Sequence, residues 1–364
     1  MSDHTKNTKK VKNIQSLVRD NIMAMDAYSS ARSLYTSGIF FDANENPYNI
    51  FDSQAGGIEV NRYPDGKNAE LRKNLGLLYG LPSAKVAVGN GSDELIDLLI
   101  RIFCRPGLDE IIICPPTFGM YRVSANMNDV SVCEIPLKNY SLDIEGIHTA
   151  ITANTKILFI CNPNNPTGST TARAEIIELV EKLNLIVVVD EAYGDFMDDE
   201  SLISSIDQHA NLIVLRTLSK AFALAGARLG IVMASEFITS LVQKVKFPYN
   251  INSLSTTIIL NALLEKNKVA ESIVTLKIMR DEMEEVLRTY TEILEIIPSQ
   301  ANFLCVRFAD SQIVFEALVK NNIITRRVAP QYGMQNILRI SIGTFEQNKL
   351  LLNTLEKTLT RIKA

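Results

Sequence analysis

Residues 183–193 read LNLIVVVDEAY, and residues 211–228 read NLIVLRTLSKAFALAGAR. In both stretches an uninterrupted apolar run ends abruptly in polar residues, with Asp190 after the first run and Ser219 and Lys220 after the second. Continuous apolar strands, unlike alternating ones, are typical of a parallel sheet that is buried on both faces. Because the carboxyl ends of neighbouring parallel strands meet at one edge, we expect these polar side chains to lie close together.

The same pattern recurs through much of the chain. Strands are predicted at residues 85–88, 110–114, 156–160, 185–189, 212–215 and 229–233, and helices at residues 92–103 and 175–183. Strands that alternate with helices favour a three-layer α/β domain, in which a mostly parallel sheet lies between two layers of helices. Ligands of such domains bind outside the carboxyl ends of the strands.

The pattern changes in the last third of the chain. A long amphipathic helix is predicted at residues 272–294, strands at 302–306 and 338–342, and helices at 312–321 and 348–362. This mixture favours a smaller α+β domain. The predicted division is therefore an N-terminal arm with a small-domain segment at residues 1–41, a large domain at 42–256 and a small C-terminal domain at 257–364.

The composition of the 364-residue chain argues against several classes of protein. Its 46% hydrophobic and 21% charged residues are ordinary values for a globular protein. A net charge of −4 and a pI near 5.6 argue against nucleic acid or an anionic membrane as a partner. No apolar run approaches the roughly 18 residues of a membrane span. The basic N-terminus, which we interpret as a loose tail, lacks the apolar segment of a signal peptide.

The five cysteines and three histidines are scattered along the chain and form no Cys-x-x-Cys pair. This distribution favours buried thiols in a reducing cytoplasm over a disulfide framework. Neither a metal site nor a histidine-based catalytic triad is indicated.

Asp190 and Lys220 are the candidate catalytic pair. An Asp at a strand end is commonly a turn or helix-capping residue, and most lysines are solvated surface groups. The apolar residues around Lys220 argue against that alternative, because they would desolvate the amine, lower its pKa and free it to attack a carbonyl. Thr217, Ser219 and Arg228 offer hydroxyls and a guanidinium to a phosphate. An amine, an acid and a phosphate site together are what pyridoxal 5′-phosphate requires.

Residues 89–94, GNGSDE, follow a predicted strand and open a helix. The first backbone N–H groups of that helix, at Ser92 and Asp93, are expected to face an anion, although a simple tight turn is the alternative. The stretch is not the dinucleotide-binding fingerprint, because Glu94 stands where the third glycine would be.

Two further loops follow predicted strands. Residues 161–168, CNPNNPTG, contain two prolines that fix the backbone, so the loop is either purely structural or holds Asn165 against the cofactor's phenolic oxygen. Residues 115–121, PPTFGMY, place Phe118 where it would stack on a flat ring, with membership of the apolar core as the alternative.

Several motifs occur together in a fixed order along residues 28–344. They are YSSAR at residues 28–32, DANENP at 42–47, RYPD at 62–65, PPTFGMY at 115–121, NPTG at 165–168, the Ser-Lys pair with an arginine eight residues later, and the arginine pair Arg326 and Arg339. This set resembles the fold-type I pyridoxal-phosphate aminotransferases, and among them the histidinol-phosphate aminotransferases. The Asn-Pro-Thr-Gly and Ser-Lys patterns belong to the wider class, whereas the other motifs are narrower.

The resemblance implies a cofactor-binding role for each matched residue. Lys220 would hold the cofactor covalently, Asp190 would pair with the pyridine nitrogen, and Tyr193 would assist Asn165 at the phenolic oxygen. The phosphate would be bound by backbone at Ser92 and Asp93, by the side chains of Thr217, Ser219 and Arg228, and by Tyr63 of the neighbouring subunit. A homodimer is therefore implied.

The resemblance also implies the reaction, which is amino transfer between histidinol phosphate and 2-oxoglutarate in histidine biosynthesis. Arg339 would bind the carboxylate of glutamate, and Arg326 and Tyr28, together with Arg339, would meet the phosphate of histidinol phosphate. The family commonly has a tyrosine at the ring-stacking position. Phe118 keeps the stacking surface there and loses one hydroxyl that a substrate phosphate would otherwise contact.

Two alternatives remain open from the sequence. An aminotransferase for aromatic or other amino acids, or a phospho-amino-acid decarboxylase, would use the same cofactor residues. A cofactor-binding transcriptional regulator would carry a fused helix-turn-helix, whereas the residues before Asp42 are interpreted as an arm. The three candidate anion contacts at Tyr28, Arg326 and Arg339 favour the phosphate substrate.

Overall fold

The computed structural model describes residues 13–28, 39–50 and 57–363. The first twelve residues, and residues 29–32 of the YSSAR motif, lie outside the described residues. The described strands form two sheets, one of seven strands and one of four. The large sheet contains β1 (Val86–Asn90), β2 (Glu110–Ile113), β3 (Ser131–Glu134), β4 (Thr155–Cys161), β5 (Ile186–Asp190), β6 (Leu212–Thr217) and β7 (Leu229–Met233).

The large sheet is mostly parallel, as predicted. Its strand order is β1-β7-β6-β5-β4-β2-β3, and only β7 runs antiparallel to its neighbours β1 and β6. Since antiparallel neighbours need no crossover helix, residues 218–228 connect β6 directly to β7. The lysine segment is therefore held at the carboxyl end of β6, beside the carboxyl end of β5.

Helices cover both faces of the large sheet. They are α1 (Asp20–Ala24), α2 (Ala69–Tyr79), α3 (Gly91–Phe103), α4 (Met120–Met127), α5 (Ile144–Ala150), α6 (Arg173–Lys182) and α7 (Glu236–Val245). Along β5, Val187 and Val189 belong to one apolar core cluster, whereas Ile186 and Val188 belong to another. Successive side chains of a strand point to opposite faces, so the uninterrupted apolar run fills two cores at once.

The second sheet lies in the C-terminal part of the chain. Its strands β8 (Ile293–Ile297), β9 (Phe303–Phe308), β10 (Arg326–Arg327) and β11 (Ile337–Ser341) are antiparallel and follow the order β10-β11-β9-β8. The accompanying helices are α9 (Lys266–Leu287), α10 (Ser311–Lys320) and α11 (Phe345–Lys363), whereas the preceding helix α8 (Ser253–Leu264) buries Ile259 in a core of the large sheet. This part has its own core, to which Leu304, Leu338 and Leu355 contribute. It is the α+β unit predicted from the sequence.

One predicted element is wrong at its end. The long helix predicted at 272–294 ends at Leu287, and residues 293–297 form β8. The apolar residues Leu287, Tyr290, Ile293 and Ile297 continue the helical spacing past the true end, so periodicity alone does not reveal the break. Strands β3 and β10 and helices α1, α2, α4, α5, α7 and α8 were not predicted. The predicted domain boundary at 256–257 falls inside α8 and stays a prediction.

The composition-based exclusions can be compared with the described residues. None of the described helices has the length and apolar character to cross a membrane. The described residues contain no group of three or more His, Cys, Asp or Glu side chains able to hold a metal ion. All five cysteines are unpaired thiols, and Cys104, Cys114 and Cys305 are buried.

Candidate active site

A cleft opens at the carboxyl edge of the large sheet. It is lined by Ser92, Asp93, Phe118, Cys161, Asn165, Asp190, Ala192, Tyr193, Thr217, Ser219, Lys220, Ala225 and Arg228. Every predicted cofactor-binding residue except Tyr63 is on this lining. Larger clefts lie beside Lys246 and beside Arg216. Size therefore does not single out the site, whereas the convergence of an amine, an acid and several hydroxyls does.

Asp190 is the last residue of β5 and is 2% exposed. Its carboxylate accepts hydrogen bonds from the Tyr121 hydroxyl at 2.8 Å and from the Ala192 backbone N–H at 3.0 Å. Burial raises the pKa of Asp190 to about 6, and the two hydrogen bonds oppose that rise because they favour the charged form. In the part of the chain that the structure describes, no cationic side chain pairs with this buried carboxyl, which is therefore suited to receive a cation from a ligand.

Tyr121 is a functional candidate to which the sequence assigned no role. Its ring is fully buried, stacks on Phe159 at 4.8 Å and meets the edge of Phe118 at 5.6 Å. It lies in the first turn of α4, which begins at Met120, whereas Phe118 precedes the helix. Only the structure shows that the Tyr121 hydroxyl reaches Asp190.

Lys220 lies in the connection between β6 and β7. Its amine is 5.5 Å from the centre of the Tyr193 ring. Burial lowers the pKa of Lys220, and the nearby positive charges of Arg339 and Arg228 lower it further. A lowered pKa increases the neutral fraction of the amine, and the neutral amine is the form that attacks a carbonyl.

Arg228 and the start of α3 form one end of the cleft. The guanidinium of Arg228 lies 3.3 Å from the Asp93 carboxylate. The backbone carbonyl of Arg228 accepts a hydrogen bond from the Gly91 N–H at 2.9 Å. Gly91 has a φ of +79°, and a Cβ there would lie 2.4 Å from Arg228 Nη2. Glycine is therefore needed for this close approach.

The same end of the cleft suits a phosphate. No side chain caps the first turn of α3, so its N–H groups at Ser92 and Asp93 are available to an anion. The Thr217 hydroxyl lies 2.9 Å from the Ser219 hydroxyl and 2.8 Å from the Leu229 carbonyl. Helix dipole, hydroxyls and guanidinium thus converge as the phosphate of pyridoxal phosphate requires.

Arg339 connects the cleft to the second sheet. Its guanidinium donates to the side-chain oxygen of Asn165 and lies 5.3 Å from the centre of the Phe303 ring. Phe303 in turn meets Tyr193 edge-on at 5.2 Å. The loop of residues 162–168 and strand β11 therefore meet at the rim of the cleft.

The remaining predicted site residues lie outside the cleft of their own chain. Arg326 is opposite Arg339 in the β10–β11 ladder and is exposed. Tyr63 is 52% exposed and stacks on Tyr249 at 4.8 Å. Tyr28 is 70% exposed and lines the cleft beside Lys246. One chain therefore supplies the cofactor residues other than Tyr63, while Tyr28 and Tyr63 face elsewhere.

Comparisons with known proteins agree with this geometry. Residues 39–355 match the family model "Aminotransferase class I and II". A histidinol-phosphate aminotransferase of Cytophaga hutchinsonii is 43% identical over 346 residues, which is 94% of this chain and 98% of that protein. The crystal structure of the histidinol-phosphate aminotransferase from Clostridium acetobutylicum has a TM-score of 0.78 at 25% identity, covering 85% of this chain and 94% of that one.

A further solved structure, the histidinol-phosphate aminotransferase of Sinorhizobium meliloti in complex with pyridoxal 5′-phosphate, has a TM-score of 0.77 at 22% identity. It covers 88% of this chain and 90% of that one, and the likeness at this identity concerns the fold. The match of the family model to most of the chain, and the near-complete coverage of the Cytophaga protein, decide the relationship. The chain belongs to the histidinol-phosphate aminotransferase family of the class I and II aminotransferases, whose cofactor is pyridoxal 5′-phosphate.

Proposed function

We propose that the protein transfers an amino group reversibly between L-histidinol phosphate and 2-oxoglutarate, giving imidazole-acetol phosphate and L-glutamate in histidine biosynthesis. The observation that carries this proposal is that Lys220 and Asp190 line one cleft whose end is formed by the start of α3 and Arg228. When bound, pyridoxal phosphate supplies an electron-withdrawing ring that stabilises negative charge at the substrate carbon. The relatives named above support the choice of substrate.

Lys220 is the proposed general base. Its lowered pKa leaves part of the amine neutral. The neutral amine can accept the proton from the substrate α-carbon and then donate it to the C4′ atom of the cofactor. Tyr193 lies under the amine and restricts its position. Asp190, whose carboxylate accepts a hydrogen bond from Tyr121, would pair with the protonated ring nitrogen of the cofactor. In that ion pair, each charge would stabilise the other.

Arg339 and Arg326 are the proposed anion-binding pair. Residues directly opposite in an antiparallel ladder have neighbouring side chains, and like charges there destabilise the pair. Two guanidiniums in this position are explained if they share an anionic substrate group. Arginine suits both substrates, because its planar fork binds a carboxylate or a phosphate with two hydrogen bonds. Arg327 packs against Phe315 instead, at 5.7 Å from the ring centre.

A homodimer would complete the site. Large apolar side chains are exposed close to Tyr63 in the chain, among them Phe41, Tyr48 and Ile50. Exposed apolar surface of this kind is typical of an interface between proteins. In a dimer, Tyr63 would reach the cofactor phosphate in the site of the partner chain. Tyr28 would reach the phosphate of histidinol phosphate bound in that same site. A cytoplasmic location is proposed as well, which agrees with five unpaired thiols.

A half-reaction tests the proposed substrate. Protein loaded with pyridoxal phosphate is mixed with L-histidinol phosphate, L-glutamate, L-phenylalanine or a phosphorylated amino acid, and both the absorbance of the lysine-bound cofactor and any release of carbon dioxide are followed. We expect rapid loss of that band with the first two amines. A clear preference for phenylalanine, or release of carbon dioxide from a phosphorylated amino acid, would instead establish one of the alternative reactions.

A further inference from the structure

Lys246 is an unusual residue because it is 6% exposed and its amine pairs with no carboxylate among the described residues. Its amine donates to the Gly66 carbonyl at 3.0 Å, to Asn68 Oδ1 at 2.8 Å and to Asn250 Oδ1 at 2.9 Å. An ammonium group has three N–H donors, and all three are used. Burial lowers the pKa of Lys246 to about 8, which reflects the cost of keeping the charge there.

The first two acceptors belong to the turn that follows Tyr63. Asn68 adopts a left-handed backbone with a φ of 49°, and its side chain donates to the Asp65 carbonyl at 3.0 Å. Gly66 packs against the Tyr249 ring, where a Cβ would meet the ring at 3.4 Å. Because Tyr249 also stacks on Tyr63, the lysine and this ring fix residues 63–68 from two sides. We call residues 63–68 the Tyr63 segment.

The third acceptor leads to the start of α3. The Asn250 side chain donates to Glu94 Oε2 at 2.8 Å, and the same oxygen accepts the backbone N–H of Asn90. Asn90 and Glu94 flank Ser92 and Asp93, whose N–H groups face the phosphate end of the cleft. Lys246 is therefore connected to the phosphate-binding turn through the side chains of Asn250 and Glu94.

We propose that Lys246 is a positioning residue that couples the two active sites of the dimer. Through Asn250 and Glu94 it orients the phosphate-binding turn of its own chain, and through Gly66 and Asn68 it orients the Tyr63 segment that serves the partner chain. The second half of this statement rests on the homodimer of the proposed function. Lys246 itself lines neither the cofactor cleft nor its rim.

Hybrid dimers separate the two branches. In the first hybrid, one chain carries Lys246→Met and the other carries Lys220→Ala. The only site that retains Lys220 then has a disturbed phosphate-binding turn and receives an intact Tyr63 segment from the partner chain. In the second hybrid, one chain is unchanged and the other carries both substitutions. The only site that retains Lys220 then has an intact phosphate-binding turn and receives a disturbed Tyr63 segment from the partner chain. The reference hybrid pairs an unchanged chain with a Lys220→Ala chain. Differently tagged chains are co-expressed and purified as hybrids.

The measured quantity is the dissociation constant of pyridoxal phosphate at the site that retains Lys220, followed by the absorbance of the lysine-bound cofactor. We expect both hybrids to bind it at least about fivefold more weakly than the reference, since each loses a charge-assisted hydrogen-bond branch. A residue with only a structural role would lower thermal stability and leave the cofactor dissociation constant of both hybrids at the reference value. If either hybrid binds the cofactor as the reference does, the coupling is overturned.

Lys244→Met is the matched control, because Lys244 lies in α7 beside the same cleft and its amine donates to the Met23 carbonyl. When Lys244→Met replaces Lys246→Met in the two hybrids, the cofactor dissociation constant should stay at the reference value. Should Lys246→Met fail to fold, Asn250→Ala removes only the branch to Glu94. It is expected to weaken the site of its own chain and to spare the partner's, and equal effects in both would overturn the proposal.

The readout also keeps this inference separate from the proposed reaction. Cofactor binding at Lys220 is measured without any amino substrate, so an enzyme that acts on another amine still reports on Lys246. A protein that sediments as a monomer would remove the proposed dimer before any hybrid is made.

Discussion

The cofactor cleft and the arginine pair at its rim differ in how much of the site one chain supplies. Around Lys220, the sheet edge, the start of α3 and the loop after β4 bring amine, acid and phosphate-binding groups together within a single chain. Around Arg326 and Arg339, one chain supplies two guanidiniums, while Tyr28 and Tyr63 lie outside the cleft. The cofactor residues are thus brought together at the sheet edge of one chain, whereas in the proposed homodimer closure around the substrate would depend on a second chain.

The difference has a physical origin. Parallel strands align their carboxyl ends, so residues far apart in sequence reach one place without special contacts. Arg326 lies on a two-residue strand at the edge of a separate sheet and is exposed, whereas Arg339 lies opposite it on β11 and is half-buried. We expect substitutions in the cleft and at the half-buried Arg339 to affect every substrate, and substitution of the exposed Arg326 to distinguish between substrates.

The largest effect is expected for Lys220→Ala. Loss of the amine removes both the covalent attachment of the cofactor and the proposed general base, so turnover should fall by at least about 10³-fold. The lysine-bound absorbance should disappear, while pyridoxal phosphate should still bind to the phosphate end of the cleft. Steady-state kinetics and an absorbance spectrum measure the two effects.

Lys268→Ala is a suitable control for this variant, because Lys268 is exposed and pairs with Glu265 on the surface. It should leave both spectrum and rate unchanged. A Lys220→Ala protein with normal turnover would show that another group moves the proton.

Asp190→Asn should change stability in a pH-dependent way in the cofactor-free protein. The pKa of Asp190 is about 6 in the fold against 3.8 for an ordinary Asp, so the folded state holds the proton more tightly. Its stabilising contribution is present below pH 4 and is lost as the pH rises through 6. Since about two pKa units correspond to about 3 kcal/mol, the Asn variant should be more stable than the parent by up to that amount at pH 8.

Urea unfolding of both cofactor-free proteins at pH 4 and pH 8 measures this difference. The two proteins should have similar free energies of unfolding at pH 4. A stability difference that does not change with pH would show that Asp190 is ionised throughout. With cofactor bound, the same substitution should slow the reaction for every substrate, because the ring nitrogen loses its anionic partner.

The rim is tested by Arg339→Ala and Arg326→Ala. Removing the Arg339 guanidinium should lower kcat/KM by about 100-fold for both glutamate and histidinol phosphate, because both use it. Removing the Arg326 guanidinium should cost about tenfold with histidinol phosphate and little with glutamate. Parallel kinetics with the two amines give the comparison, and equal losses from both substitutions would contradict a separate phosphate contact.

Much of the fold could be predicted from residue patterns because the buried strands are uninterrupted apolar runs. The run at residues 185–189 predicted β5 and its two-sided burial. The edge strand β8 was harder to predict, since only its last two residues are buried and its apolar residues continue the helical spacing of α9. Patterns therefore identify central strands better than edge strands.

The candidate site was predictable to a similar degree. Residues that follow central strands, such as Asp190 and Lys220, were found because strand ends converge. Tyr121 and Lys246 were given no role, since a tyrosine is commonly part of an apolar core and most lysines are solvated surface groups. Only tertiary contacts reveal that the first donates to Asp190 and that the second joins two loops.

The smallest effect is expected for Tyr121→Phe, which tests whether the cleft is tuned from behind. Phenylalanine keeps the contacts with Phe159 and Phe118 and removes only the hydroxyl. The hydrogen bond from Tyr121 favours the charged form of Asp190, so its loss should raise the pKa of Asp190 further above its ordinary value. We expect cofactor affinity to fall by about fivefold to tenfold.

Tyr79→Phe provides a matched control for that measurement. The Tyr79 hydroxyl is also buried, but it has no hydrogen-bond partner among the described residues and lies beside a different cleft. Its removal should leave cofactor affinity unchanged and should not destabilise the protein, because no hydrogen bond is lost. Equal affinities in the two variants would mean that Asp190 needs no donor behind it. A selective loss with Tyr121→Phe would instead show that the acid at the sheet edge acts through a buried partner on α4.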